Sequence, residues 1–262
     1  MHKVFPKIKV SIVTVVFNGK ATLEETIHSV HSQSYPYIEY IIIDGKSTDG
    51  TIDIIKKYYK KGVISKYISE KDEGLYDAMN KGVKLSSGDL VYFLNADDIL
   101  KDNKIIEKIA HVYDEKYDFI YGDIELFYSE EKNLIRITRN ASIKDLKQGN
   151  MPPHQGSFVK RHILLENPFN LGYRSSADFD FFCRIIKKGA IGKKINFVVA
   201  VMRMGGVSSG KISYYETEQV VLCHFGIIVY SVLLIKHTTF SLIKNILSVF
   251  NLLWVYHKFF SR

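Results

Sequence analysis

Two hydrophobic periodicities alternate along roughly the first hundred residues. Lys9 to Val16 is a short, nearly continuous β-branched run, the pattern of a strand buried on both faces. Asn18-Gly19 supplies a turn, and Leu23, Ile27 and Val30 then recur at helical spacing until Pro36 stops the helix. Tyr40 to Ile43 predicts a second strand. Ser47-Thr48-Asp49-Gly50-Thr51 is a turn rich in capping residues, with Asp49 expected to cap the helix marked by Ile52, Ile55 and Tyr59. A short strand near Ile64 to Ile68, a helix from Leu75 to Leu85 and a strand from Leu90 to Leu94 complete the series. Strands alternating with helices predict a parallel sheet with right-handed crossovers.

Beyond Asp98 the pattern is mixed. A helix around Ile105 to Tyr113 leads to a strand at Phe119 to Tyr121, then to two strands flanking a hairpin at Ser129 to Asn133. Helical spacing returns over Asp178 to Lys188, and Ile195 to Met204 reads as a strand. The expected organisation is a nucleotide-facing half over about residues 8–100, an acceptor-shaping half over 101–210, and a helical tail over 211–262.

Composition narrows the class. The chain has 262 residues, 46% of them hydrophobic and 24% charged, which excludes a disordered or collagen-like protein. Two cysteines, Cys183 and Cys223, cannot build a disulfide framework or a Cys-ligated zinc site, and Cys183 is expected to be a buried small hydrophobe. The first ten residues lack an apolar h-region, so a cytoplasmic protein is expected. The net charge of +8 is uneven: no Asp or Glu occurs from Gln219 to Arg262, where Lys236, Lys244, Lys258 and Arg262 punctuate apolar runs. These basic residues are too sparse to track a nucleic-acid backbone. The favoured reading of 219–262 is an amphipathic anchor at a membrane surface; two helices packed on the domain or on a partner chain, as in a homo-oligomer, are the alternative.

In parallel sheets, ligands bind beyond the carboxyl ends of the strands. Those ends are acidic here: Asp44, then Glu70-Lys71-Asp72-Glu73, then Asn95-Ala96-Asp97-Asp98. Clustered carboxylates call for a shared cation or hydrogen-bond donors, and a divalent metal with a diphosphate substrate meets that need. No P-loop and no Gly-x-Gly-x-x-Gly follows the first strand, which removes the main support for ATPase and dinucleotide readings.

The segments Val10 to Gly19, Ile43 to Thr51, Glu73 to Gly82, Leu94 to Asp98, Pro153-His154-Gln155, Ser176 to Phe181 and Gly205 to Ser209 together resemble glycosyltransferase family 2, over about residues 8–210. They are most similar to the branch that builds bacterial exopolysaccharides such as colanic acid. The resemblance implies an α/β GT-A fold, with a Rossmann-like, mostly parallel sheet flanked by helices. It also implies an inverting transfer from a UDP-sugar with Mn²⁺ or Mg²⁺. By resemblance, Thr14, Val16, Phe17 and Asp44 line the nucleoside, Asp44 accepting from the uracil imide. Asp77, Lys81, Asn95 and Ala96 belong to the ribose and diphosphate region, and Asp97 is the metal carboxylate. Asn95 replaces the first acid of the family's Asp-x-Asp motif. Asp98 is a second ligand or a cap. The base of the family's acidic pair falls on Asp178, preceded by Ala177, with Asp180 as runner-up. His154 and Gln155 are acceptor or donor contacts, or turn residues. Gly205 to Gly210 fits a lid and a connector equally well. The whole implies a lipid-linked saccharide acceptor at the inner face of the plasma membrane. A non-catalytic saccharide- or nucleotide-binding scaffold is the alternative, motivated by Asn95 and Ala177.

Overall fold

A computed structural model describes residues 7–128, 133–203 and 211–249. The first half follows the expected alternation. β1 (Val10–Val16), β2 (Ile38–Asp44), β3 (Lys66–Ser69) and β4 (Leu90–Phe93) are joined through α1 (Leu23–His31), α2 (Thr51–Lys60) and α3 (Leu75–Leu85). β1 pairs in parallel with both β2 and β4, and β2 with β3. The second half adds β5 (Ile99–Leu100), α4 (Ile105–Val112), β6 (Phe119–Tyr128), β7 (Asn133–Ile137), α5 (Ile143–Leu146), a 3-10 turn (His154–Gly156), β8 (Ser157–Lys160), α6 (Arg161–Glu166), α7 (Ala177–Lys187), β9 (Gly192–Arg203) and α8 (Lys211–Val249). One sheet runs in the order β3-β2-β1-β4-β8-β6-β9-β5, with β7 paired to β6. β8 is antiparallel to β4 and β6, whereas β9 is parallel to β6.

Alternation along β1 splits the core. Val10, Ile12 and Val16 pack with α1, α2 and α4 on one face; Val13 and Val15 pack with α3 and α7 on the other. Helix α3 lies very close to β1, because a Cβ on Gly82 would come within 2.3 Å of Val13 Cγ1. The expected strand at Phe119 and the one after it are a single ten-residue strand, β6, paired to β7 across the hairpin whose turn lies outside the described residues. Asp49 precedes the N-cap Gly50, and its carboxylate accepts from the Thr51 amide and hydroxyl and from the Lys20 amide. Cys183 is buried, and burial pushes its thiol up to about 12.

The amino ends of the strands are tied by a buried carboxylate. Glu39 accepts from Ser11 Oγ, Ser87 N and Oγ, Lys9 Nζ and Lys66 Nζ. Burial opposes its charge, yet the hydrogen bonds from Ser11, Lys66 and Ser87 win and take its pKa from 4.5 to about 2. Such a group stabilises the fold above its unfolded pKa and loses that contribution as pH falls through the folded one. Glu39→Gln is therefore expected to cost at most about 3 kcal/mol at neutral pH. In chemical denaturation the loss should shrink as pH is lowered from 4.5 toward 2.

Helix α8 is broken at Gly226, whose φ of 82° and ψ of 174° are non-helical. Its first part packs on α7, with Val220, Val221 and, past the break, Leu233 in the core. The run 220–235 is thus divided between buried positions and exposed ones such as Ile227, Ile228 and Val232.

Candidate active site

The strand order reverses between β1 and β4, and a cleft of about 390 Å³ opens at their carboxyl ends. The rim is built by the turn after β1. Asn18 takes a left-handed φ of 52°, which asparagine tolerates, and its Oδ1 accepts from Thr48 N while its own amide donates to Ser47 Oγ. The loops after β1 and β2 are thereby stitched together. Val16 and Phe17 line this side, and Phe17 is 67% exposed, an aromatic face open for stacking.

The loop after β4 supplies the acidic wall. Asn95, Ala96, Asp97 and Asp98 all line the cleft. Asp97 is half-buried, whereas Asp98 is buried and its Oδ1 accepts from the Arg203 amide at 3.1 Å. Its Oδ2 has no hydrogen-bond partner among the described residues. Burial, then the neighbouring charge of Asp97, pushes the Asp98 carboxyl up to about 8. A buried carboxylate oxygen with nothing bound to it, beside a second acid, fits a divalent cation. No group of three or more metal-ligating side chains occurs among the described residues. The pair therefore suits a cation that brings phosphate oxygens and water as its other ligands, the usual mode for Mg²⁺.

Asp178, in the first turn of α7, reaches the same cleft. Its Oδ1 accepts from the Tyr76 hydroxyl at 2.9 Å and from Phe179 N at 2.9 Å. One oxygen is thus held from two directions. His154 also lines the cleft; its ring stacks on Phe93 at 5.2 Å and meets Phe169 edge-on at 5.9 Å. Its Nε2 is buried without a partner among the described residues. Burial lowers the imidazole pKa while the Asp178 charge pulls it back up. Gln155 lines the cleft, and its carbonyl accepts from Tyr92 Oη.

Five expected residues lie off the cleft lining. Thr14 points into the core because it shares the β1 face of Ile12 and Val16, and its hydroxyl bonds Tyr40 Oη at 3.1 Å. Asp44 is fully buried, accepting from Ser47 Oγ at 2.5 Å and Ser69 Oγ at 2.6 Å. Lys81 sits among Asp72, Glu70 and Asp77 at 2.7, 3.0 and 3.1 Å, so three carboxylates already answer its charge. Asp77 also caps the Glu73 amide. Asp180 turns away toward α8, bound by Arg184 Nε and His224 Nε2, both at 2.8 Å. Its burial in that ion pair removes it as runner-up base in this structure. The Gly205 to Gly210 stretch lies outside the described residues.

Sequence reasoning missed Arg203, Tyr76 and Ser175, which also line the cleft. Arg203 closes β9 and pairs with Glu25, placing a cation beside the acidic wall. Its position just before the Gly205-Gly206 pair was a usable signal; Ser175 had none.

A Rossmann-like half joined to a mixed half, with the acidic end of β4 on the cleft at the switch point, is the arrangement of the GT-A fold. Solved structures agree. S. aureus TarS in complex with UDP-GlcNAc superposes with a TM-score of 0.67 at 17% identity, over 83% of this chain and 66% of that one. The mannosyltransferase PcManGT from Pyrobaculum calidifontis, in complex with GDP-Man and Mn²⁺, gives 0.59 at 16% identity over 85% and 65%. The model of the glycosyl transferase family 2 matches residues 11–192, and the chain belongs to that family. Among relatives, a PGL/p-HBAD biosynthesis glycosyltransferase of Mycobacterium bovis is 30% identical over 211 residues, covering 76% of this chain and 78% of its own. The UDP-Glc:alpha-D-GlcNAc-diphosphoundecaprenol beta-1,3-glucosyltransferase WfaP of Escherichia coli is 30% identical over 224 residues, covering 83% and 87%.

Proposed function

We propose that this family 2 glycosyltransferase moves a sugar, with inversion, from a UDP-sugar to a lipid-linked saccharide at the inner face of the plasma membrane, in bacterial surface polysaccharide synthesis. The observation that carries the reading is the convergence of Asp178, held by Tyr76, and the Asp97–Asp98 pair on one cleft at the switch point. Inversion requires one base on the side opposite the leaving diphosphate, taking the acceptor hydroxyl proton as that oxygen attacks the anomeric carbon. Asp178 takes this role from the first turn of α7, its carboxylate on the cleft and oriented by the Tyr76 hydroxyl. Phe17 stacks on the uracil, and buried Asp44, through its bonds to Ser47 and Ser69, sets the loop after β2 at the nucleoside end. Asp97 and Asp98 would hold Mn²⁺ or Mg²⁺, which supplies positive charge to the departing UDP; Arg203 adds a fixed cation at the same wall.

The donor class is supported by WfaP, named for UDP-Glc, and by TarS, solved with UDP-GlcNAc. WfaP is also named for a diphosphoundecaprenol acceptor, which suits a basic, acid-free C-terminal segment over 219–262. Ile212–Ile235 is long and apolar enough to cross a bilayer by length and composition. Its break at Gly226 and its buried Glu216, Val220 and Val221 favour a helix lying on the surface, with residues 8–210 as the catalytic unit.

The purified protein is expected to release UDP from a UDP-sugar in the presence of Mn²⁺ or Mg²⁺, and to stop on chelation. A panel of nucleotide sugars read by released nucleotide tests this; release from GDP-sugars alone would sink the donor assignment.

A further inference from the structure

Helix α8 turns two polar side chains, Glu216 and His224, inward. Glu216, Val220 and His224, spaced i, i+4, i+8, face the domain, while Tyr215, Ile227, Ile228 and Val232 are exposed. The inward polar pair grips α7 at two points. Glu216, 8% exposed, accepts three successive main-chain amides: Arg174 N at 2.8 Å, Ser175 N at 2.8 Å and Ser176 N at 3.0 Å. Those amides form the strap that enters α7, whose N-cap Ser176 makes no side-chain cap bond. Its hydroxyl instead meets α8 at Ser213 O and Thr217 Oγ1, both at 3.3 Å. Two turns further along α8, His224 Nε2 bonds Asp180 Oδ1 at 2.8 Å, and Lys187 Nζ donates to His224 O at 2.7 Å. Asp178 stands between the two grips.

We propose that Glu216 is a positioning residue for the base, setting the entry of α7 and so the placement of the Asp178 carboxylate over the cleft. The inference rests on the reading of Asp178 as that base. A buried carboxylate that answers three amides is hard to replace. Glutamine has one acceptor oxygen and turns an NH₂ toward the same N–H groups, so the strap must shift. A displacement of about 1 Å in reacting groups can cost on the order of 100-fold in rate. The donor side, built on the strand ends of β1, β2 and β4, has no bond to Glu216 and should be untouched.

The test compares Glu216→Gln, Glu216→Asp and Asp178→Asn in the full-length protein, measuring kcat, donor KM, and UDP affinity by calorimetry. Glu216→Gln is expected to lower kcat by about tenfold or more, with donor KM and UDP affinity within about twofold and partial recovery in Glu216→Asp. A folded Glu216→Gln protein with wild-type kcat, or one that loses kcat and UDP affinity together, overturns the proposal. Should that variant not fold, Glu216→Asp, whose carboxylate stands one methylene farther from the three amides, is expected to lower kcat severalfold at constant UDP affinity; wild-type kcat in Glu216→Asp overturns the proposal. Transfer surviving in Asp178→Asn would instead overturn the base assignment beneath it, so the two failures are separable.

Discussion

Asp178→Asn is expected to lower the rate of sugar transfer on the order of 100- to 10,000-fold while leaving UDP affinity unchanged, the range that loss of a general base costs. The substitution is nearly isosteric. An amide oxygen in place of Oδ1 still accepts from the Tyr76 hydroxyl and the Phe179 amide, so the local geometry survives and only the proton acceptor is lost. The proposed nucleoside end lies at the loops after β1 and β2, whereas the hydrogen bonds of Asp178 go to Tyr76 and Phe179. A fall in kcat at constant UDP affinity, measured by product formation and calorimetry, therefore reads the chemical step. Wild-type transfer by Asp178→Asn would exclude it as the base.

The second large effect concerns the outer face of α8. Ile228 and Val232 are 78% and 64% exposed and lie one turn apart, so glutamates at both positions strike one apolar stripe. Each loses about 1.5–3 kcal/mol of apolar transfer energy, which together weakens membrane partitioning on the order of 100-fold or more. The double variant should move to the soluble fraction in flotation with anionic vesicles and retain UDP binding, because Glu216, Val220 and His224 are untouched. Unchanged partitioning would remove α8 as the anchor. Deleting everything after Gln219 is a poorer experiment, since it strips Val220, Val221 and Leu233 from the core and His224 from Asp180.

The parallel half was legible because its elements are long enough for their periodicity to show: β1, β2 and α1 to α3 fall where β-branched runs and helical spacing place them. The pieces that escaped are short and non-local. β5 has two residues and pairs with β9 about a hundred positions away; β8 has four and is held by β4 and β6. Nothing local in Ser157–Lys160 distinguishes such a strand from a loop. At the site, the motifs that single out Asp97 and Asp178 place both on the cleft lining, whereas Thr14 lies off it because its strand face, fixed by pairing with β2, turns its hydroxyl to Tyr40. In the tail, the run from Val220 to Ile235 is apolar but for His224 and Ser231; Gly226 breaks it, and the fold buries some of its members while exposing others. Glu216 and His224 gave no sequence signal, because their partners at 174–176 and 180 lie some forty residues earlier.

The most direct test of the whole account is a transfer reaction with product analysis. The purified protein, Mn²⁺, a panel of UDP-sugars and a polyisoprenyl-diphosphate-linked saccharide are incubated together, and the product is read by mass and by the proton coupling at its new anomeric centre. The account predicts UDP release matched by an acceptor heavier by one sugar, with the anomeric configuration opposite to that of the donor. Nucleotide binding without transfer across the full panel, or a product that keeps the donor's configuration, would contradict it.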